Sequence, residues 1–119
     1  LFRSMSVLLA VKMDLAIPAG AGLEAVNGAF PIEGAYRMLE LPGLQWKIWG
    51  TDMNKKEACG FYLFATMKDA KRRAVEVVGQ LQVRPGISNV TTQIWELDAE
   101  KTRITHGPID VPKISDLPK

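Results

Sequence analysis

The residues best suited to chemistry cluster in two strands' worth of sequence and one tail. Trp46, Lys47 and Trp49 sit together in the run LQWKIW, and Tyr62 follows in GFYLF. Two broad aromatic faces beside a lysine can wall and anchor a planar or anionic ligand. A tyrosine near them can donate to a developing oxyanion or relay a proton. His106, the single histidine of the chain, has the one side chain that ordinarily titrates near neutral pH. It stands beside Gly107 and Pro108, where a tail closing over a pocket would deliver it as a base. Tyr62 and His106 are therefore the candidate catalytic residues. A structural reading stands beside each. The tryptophans also serve as core filler, Tyr62 as a packed ring with its hydroxyl at a rim, Lys47 as an ion-pair partner, and His106 as an exposed tail residue.

Other chemistries find little support. One histidine cannot build a multi-histidine metal centre, and it is the sole histidine that could act as an axial haem ligand. Cys59 has no histidine near it in sequence and reads as a small buried hydrophobe. Gly20 and Gly22 lack the remaining spacing and the Lys-Ser/Thr pair of a phosphate loop. The expectation is catalysis without a metal or a resident cofactor.

The chain has 119 residues, 47% hydrophobic and 24% charged, with a net charge of +2, which fits one globular domain. That charge is too small and too dispersed for a nucleic-acid binder. The one basic cluster, KDAKRRA from Lys68 to Ala74, reads as a solvated helix face. A single cysteine excludes an intrachain disulfide and points to a reducing, cytoplasmic setting. No apolar run reaches the ~18 residues a membrane span needs. The start LFRSM lacks the long apolar stretch and small-residue cleavage site of a signal peptide.

The elements that must position these residues follow from pattern. Ser6 to Leu15 reads as a strand, and IPAGAG breaks it. A helix is predicted over about Ile32–Leu41, with an earlier turn at Leu23–Ala29, because Pro31 interrupts the segment. Leu44, Trp46 and Ile48 alternate with Gln45, Lys47 and Trp49, a strand period. After the polar GTDMNKK the return strand is Glu57–Ala65. Centring the hairpin between Met53 and Asn54 pairs Trp46 with Phe61 and Lys47 with Gly60. A second helix follows, capped by Thr66 with Asp69 three residues on, and burying Ala70, Ala74, Val77, Val78 and Leu81. Ile87–Leu97 is the last strand, and residues 98–119 read as an extended tail.

The order β-α-β-β-α-β defines an α+β domain over residues 6–97, the ferredoxin-like split βαβ unit with helices on one face. Its other face should then be polar, yet both faces of the hairpin are apolar. Trp46, Ile48, Phe61 and Leu63 fill one, and Trp49, Tyr62 and Phe64 the other. A second copy of the same face would cover the surplus, giving a symmetric homodimer that the tail could clasp.

PGLQWKIW, separated by GTDMNKK from EACGFYLF, resembles the YdhR-like monooxygenase family of the dimeric α/β-barrel superfamily, which includes antibiotic-biosynthesis monooxygenases. The resemblance spans about Val7 to Leu97. It rests on Pro42, Gly43, Trp46, Lys47, Trp49, Glu57, Gly60, Tyr62, Leu63 and Phe64, with IWEL at Ile94–Leu97. AIPAGAGLEAVNGAFPIEGAYRML departs from the pattern. The resemblance implies a dimeric α/β barrel and a cofactor-independent monooxygenase acting on an aromatic or polyketide-like molecule. It also implies that the first-helix region, with Asn27, Glu33, Tyr36 and Arg37, forms a pocket wall. The candidate substrate contacts are therefore Trp46, Trp49, Lys47, Tyr36 and Asn27. A cyclase or isomerase on the same scaffold, or a non-catalytic binding dimer, would need much the same pocket.

Overall fold

A computed structural model of the chain describes residues 6–118; the opening Leu1–Met5 and Lys119 lie outside them. The elements are β1 (Val7–Leu15), α1 (Leu23–Ala29), α2 (Ile32–Met38), β2 (Leu44–Asp52), β3 (Glu57–Phe64), α3 (Met67–Leu81), β4 (Ile87–Glu96) and α4 (Ala99–Ile104), with a final 3-10 turn at Ile114–Asp116. The four strands form one sheet in the order β2-β3-β1-β4. Every neighbouring pair is antiparallel. This is the split βαβ arrangement expected from the element order.

Alternation along β1 divides the sheet into two faces. Val7, Leu9, Val11, Met13 and Leu15 are buried, and between them Lys12 is exposed while Leu8, Ala10 and Asp14 are partly covered. The buried row joins Leu44, Ala58, Tyr62, Phe64 and the inner residues of α3 in one core. Extended β-branched and aromatic residues suit such a pleated surface, packed on one side by helices.

α3 starts where a capping pair predicts. The Asp69 amide donates to Thr66 Oγ1 at 3.2 Å, and the Thr66 hydroxyl donates to Asp69 Oδ2 at 2.9 Å. The helix buries Ala70, Arg73, Val77 and Leu81. In the connection between β1 and β2, Pro31 splits the helical segment as anticipated, leaving two short helices. α2 ends at Met38, short of the expected Leu41, and Leu39 just beyond it is 46% exposed.

Gly43 sets the entry to β2 in a conformation that only glycine adopts cheaply, with φ at +77°. A Cβ there would also collide with the Asp69 carboxylate that caps α3. Gly43→Ala is expected to cost roughly 2 kcal/mol or more. Urea unfolding read by far-UV circular dichroism measures it, and a change within about 0.5 kcal/mol would refute this role for Gly43.

The hairpin differs from the predicted register. Trp46 pairs with Leu63, Lys47 with Tyr62, Ile48 with Phe61 and Trp49 with Gly60. The chain turns one residue later than the sequence pattern suggests, because the Lys55 amide donates to Asp52 Oδ1 at 3.0 Å and Lys56 takes a left-handed conformation. From Trp46 onward the pairing shifts by two residues, so those side chains keep their faces, while a bulge between Leu44 and Trp46 turns Leu44 into the core beside Phe64.

Residues 98–118 are not wholly extended. Asp98 caps α4 by accepting from the Lys101 amide at 3.1 Å. The following segment returns to β2 of its own chain. Trp46 Nε1 donates to the Pro108 carbonyl at 2.8 Å, and Gln45 Nε2 to that of Val111 at 2.5 Å. Leu63 and Ile109 are both buried yet lie outside the main core cluster. Among the described residues no helix is long and apolar enough to cross a membrane.

Candidate functional site

Between the inner face of the sheet and the three helices α1, α2 and α3 lies a cleft of about 1010 Å³. Val11, Met13, Lys47, Trp49, Gly60 and Tyr62 form its sheet side. Val26, Asn27 and Phe30 approach from the α1 end, with Glu33, Arg37 and Met38 from α2. Arg73, Val77 and Leu81 close it along α3. The short helices leave this space because Pro31 prevents one continuous helix from lying across the sheet. Arg84, just past α3, holds the end of α1 by donating to the Ala29 carbonyl, with its guanidinium 5.4 Å from the Phe30 ring centre.

Lys47 lies along the floor of this cleft. Its ammonium nitrogen is 3.4 Å from the ring centre of Trp49 and 4.5 Å from that of Tyr62. The Met38 sulfur is 3.9 Å away. Gly60 makes this possible, since a Cβ there would stand 2.9 Å from Lys47 Cε. Burial, and after it the nearby Arg73 charge, bring the Lys47 amine down to about 7.

Tyr62 is 1% exposed and stacks on Phe64 with ring centres 5.7 Å apart. Burial pushes its phenol up, and the Arg73 guanidinium pulls the other way. Tyr62 therefore stays a hydrogen-bond donor through neutral pH.

Arg73 is a cleft residue that the sequence pattern places elsewhere. It was expected on a solvated face with the rest of KDAKRRA, and it is 6% exposed. Its Nη1 donates to Gln80 Oε1 at 3.1 Å and its Nη2 lies 3.8 Å from the Met38 sulfur. Its Nε is buried with no hydrogen-bond partner. Its guanidinium carbon is 5.8 Å from the Tyr62 ring centre. Helical spacing carried the signal, because Arg73 stands three residues after Ala70 and four before Val77, on the buried stripe. Its neighbours Lys71 and Arg72 are exposed as expected.

The cleft thus brings together Tyr62, Lys47, Trp49 and Asn27. Three other candidates stand outside it. Trp46 is on the opposite face, opposite Leu63, bonded to the tail. Tyr36 is 69% exposed and points away from the cleft lining. His106 occupies the exposed turn after α4 in a left-handed conformation. Cys59, expected to be buried, is partly exposed at the cleft edge, and burial raises its thiol pKa. Among the described residues no group of three or more His, Cys, Asp or Glu could hold a metal ion.

A split βαβ sheet with an aromatic, cation-bearing cleft beneath its helices defines a small α+β domain of the ferredoxin-like kind. The chain belongs to the family described as "Putative mono-oxygenase ydhR", whose model matches residues 8–108. Two solved structures share the fold. One is a monooxygenase from the gene ActVA-Orf6 of Streptomyces coelicolor, in complex with the ligand nanaomycin D. It aligns with a TM-score of 0.56 at 13% identity, over 79% of this chain and 88% of that one. The other is a NIPSNAP-like domain protein from Burkholderia xenovorans, with a TM-score of 0.52 at 16% identity, over 80% of this chain and 87% of that one. No curated protein sequence matches the chain.

Proposed function

We propose that the protein is a homodimeric monooxygenase that oxidises a planar aromatic or polyketide-like molecule in the cleft, without a resident cofactor. The observation that carries this is the pairing of apolar walls with a narrow polar floor of Tyr62, Lys47 and Arg73. Family membership supports the reaction class. An anthrone-type substrate illustrates the chemistry. Loss of an acidic C–H proton gives an anion that can reduce dioxygen by electron transfer. The ring CH2 becomes C=O, and its two hydrogens leave with the second oxygen atom as water. The protein's part is to exclude water, hold the ring against Trp49 and stabilise the oxyanion with the Tyr62 hydroxyl. Asn27 contacts the ligand from the α1 side.

The test is oxygen consumption with dithranol, an anthrone delivered in a small volume of cosolvent, followed by mass spectrometry under labelled dioxygen. Enzyme-dependent uptake with one labelled oxygen in the quinone is expected. Label absent from the product, or uptake equal to the buffer control across a panel of anthrones, would overturn the reading. Ring closure or isomerisation without oxygen uptake would favour the cyclase alternative.

The dimer reading rests on the outer face of the sheet. Ile48 and Trp95 are each 54% exposed there and Phe61 is 37% exposed. Across the strands Ile48 pairs with Phe61, Phe61 with Ala10, and Leu8, two residues before Ala10 on the same face, with Trp95. Such a contiguous apolar patch is costly in water, and a second copy turned through a two-fold axis covers it. Sedimentation equilibrium should give twice the 13.1 kDa of one chain. Ile48→Lys should shift it to a monomer by placing two unpaired charges in the contact. A wild-type monomer at micromolar concentration would contradict the dimer.

A further inference from the structure

We propose that Lys47 and Arg73 form an anion seat in the floor of the cleft, taking the carboxylate or ionised phenol of a planar aromatic ligand. The inference deepens the proposed function, and rests on its reading of the cleft as the ligand site. Two cations stand close enough that the charge of Arg73 acts on the Lys47 amine; Arg73 is buried and Lys47 is half-buried along the cleft. An unpaired buried charge is strongly unfavourable, and proteins ordinarily place a carboxylate against it. Neither residue has one here. The ion pairs of the described residues involve Lys12, Arg72, Lys101, Arg103 and Lys113, and not these two.

The rest of the lining does not balance them. Arg37 and Arg84 add positive charge, and Glu33 is the one carboxylate of the cleft. The Arg73 Nε is buried with no acceptor among the described residues, and a ligand oxygen at the seat would satisfy it. Arg73 already spends Nη1 on Gln80, which fixes the guanidinium in place. The aromatic faces of Trp49 and Tyr62 beside Lys47 suit the ring that carries the anion.

Binding is then linked to protonation. The titratable and charged groups that line the cleft around Lys47 are Tyr62 from β3, Arg73 from α3, Glu33 and Arg37 from α2, and Arg84 beyond α3, while the Cys59 side chain alternates to the outer face with Phe61. α1 contributes Leu23, Val26 and Asn27, none of which titrates. An anion arriving at the seat favours the Lys47 ammonium, so a ligand bound slightly above neutral pH takes up part of a proton.

The probe is 2-naphthoate, against 2-naphthamide as the uncharged ligand of nearly the same shape. Isothermal titration of the full chain at about pH 7.5, in buffers of different ionisation heat, reads affinity and proton uptake together. Naphthoate should bind at least about tenfold more tightly than the amide. It should take up a fraction of a proton, and bind more weakly at about pH 9. Lys47→Met should abolish the uptake, and Arg73→Gln should remove most of the preference for the acid. Equal affinities, no saturable binding by naphthoate, or a preference that survives in both folded variants would overturn the seat. The two readings fail separately. A protein that prefers naphthoate but never consumes oxygen with anthrones keeps the seat and loses the monooxygenase. Oxygenation of anthrones with equal binding of acid and amide does the reverse.

Discussion

Lys47→Met is expected to stabilise the protein by about 1–3 kcal/mol at pH 6, an unusual gain for a change inside a candidate site. Methionine keeps the length of the side chain and removes a half-buried charge that no carboxylate among the described residues pairs. The ring faces of Trp49 and Tyr62 favour the ammonium and offset part of its desolvation cost, so the gain is smaller than burial alone would give. The pH dependence identifies the cause. In the folded protein Lys47 releases its proton at about 7, well below the ordinary value of 10.5 that applies when it is unfolded. Between those values the unfolded chain holds more protons, so wild-type stability rises with pH through that window. The advantage of methionine should be largest below pH 7 and fade as the pH climbs toward 10. Urea unfolding at a series of pH values measures this directly. A variant less stable than wild type at pH 6, or an advantage that does not shrink on the alkaline side, would show that Lys47 is paired in solution.

Tyr62→Phe is the second large effect. The ring stays in place, because its burial and its stacking on Phe64 do not involve the hydroxyl. What disappears is a neutral hydroxyl donor on the floor of the cleft that remains protonated at neutral pH. Loss of a single oxyanion donor typically lowers turnover by about 10²–10³-fold. That loss should appear in kcat with dithranol, with KM changed little, since the donor acts mainly on charge that develops in the transition state. His106→Ala should leave turnover within about twofold of wild type, because His106 lies outside the cleft of its own chain. Full activity in Tyr62→Phe would remove Tyr62 from the reaction. A collapse in His106→Ala would show that the tail reaches a cleft after all.

Much of the fold was legible because its cues are local. Thr66 and Asp69 announce the start of α3, Pro31 splits the first helical segment, and alternation from Leu44 to Trp49 assigns each aromatic to a face. The hairpin register was harder to read. It depends on where residues 53–56 turn, and Asp52 settles that by capping the Lys55 amide, a competition that hydrophobic alternation does not record.

The candidate site was legible only in part, for a related reason. Tyr62, Lys47 and Trp49 share a strand face, and alternation alone puts them together. Trp46 lies one residue from Lys47 and therefore faces the other way, so closeness in sequence misleads there. Arg73 was hidden by its neighbours. In KDAKRRA most of the charges are solvated, and the one that turns inward is distinguished only by helical phase. The return of the tail to Gln45 and Trp46 depends on contacts more than sixty residues apart, for which the sequence carries no local mark.

The most direct test of the whole account is a crystal structure of the protein soaked with 2-naphthoate. The account places the ring between the inner face of the sheet and α1–α3, against Trp49, with its carboxylate on Lys47 and Arg73 and the Tyr62 hydroxyl facing the same space. A ligand seated instead on the outer face between Ile48 and Trp95, with the cleft filled by side chains, would contradict it.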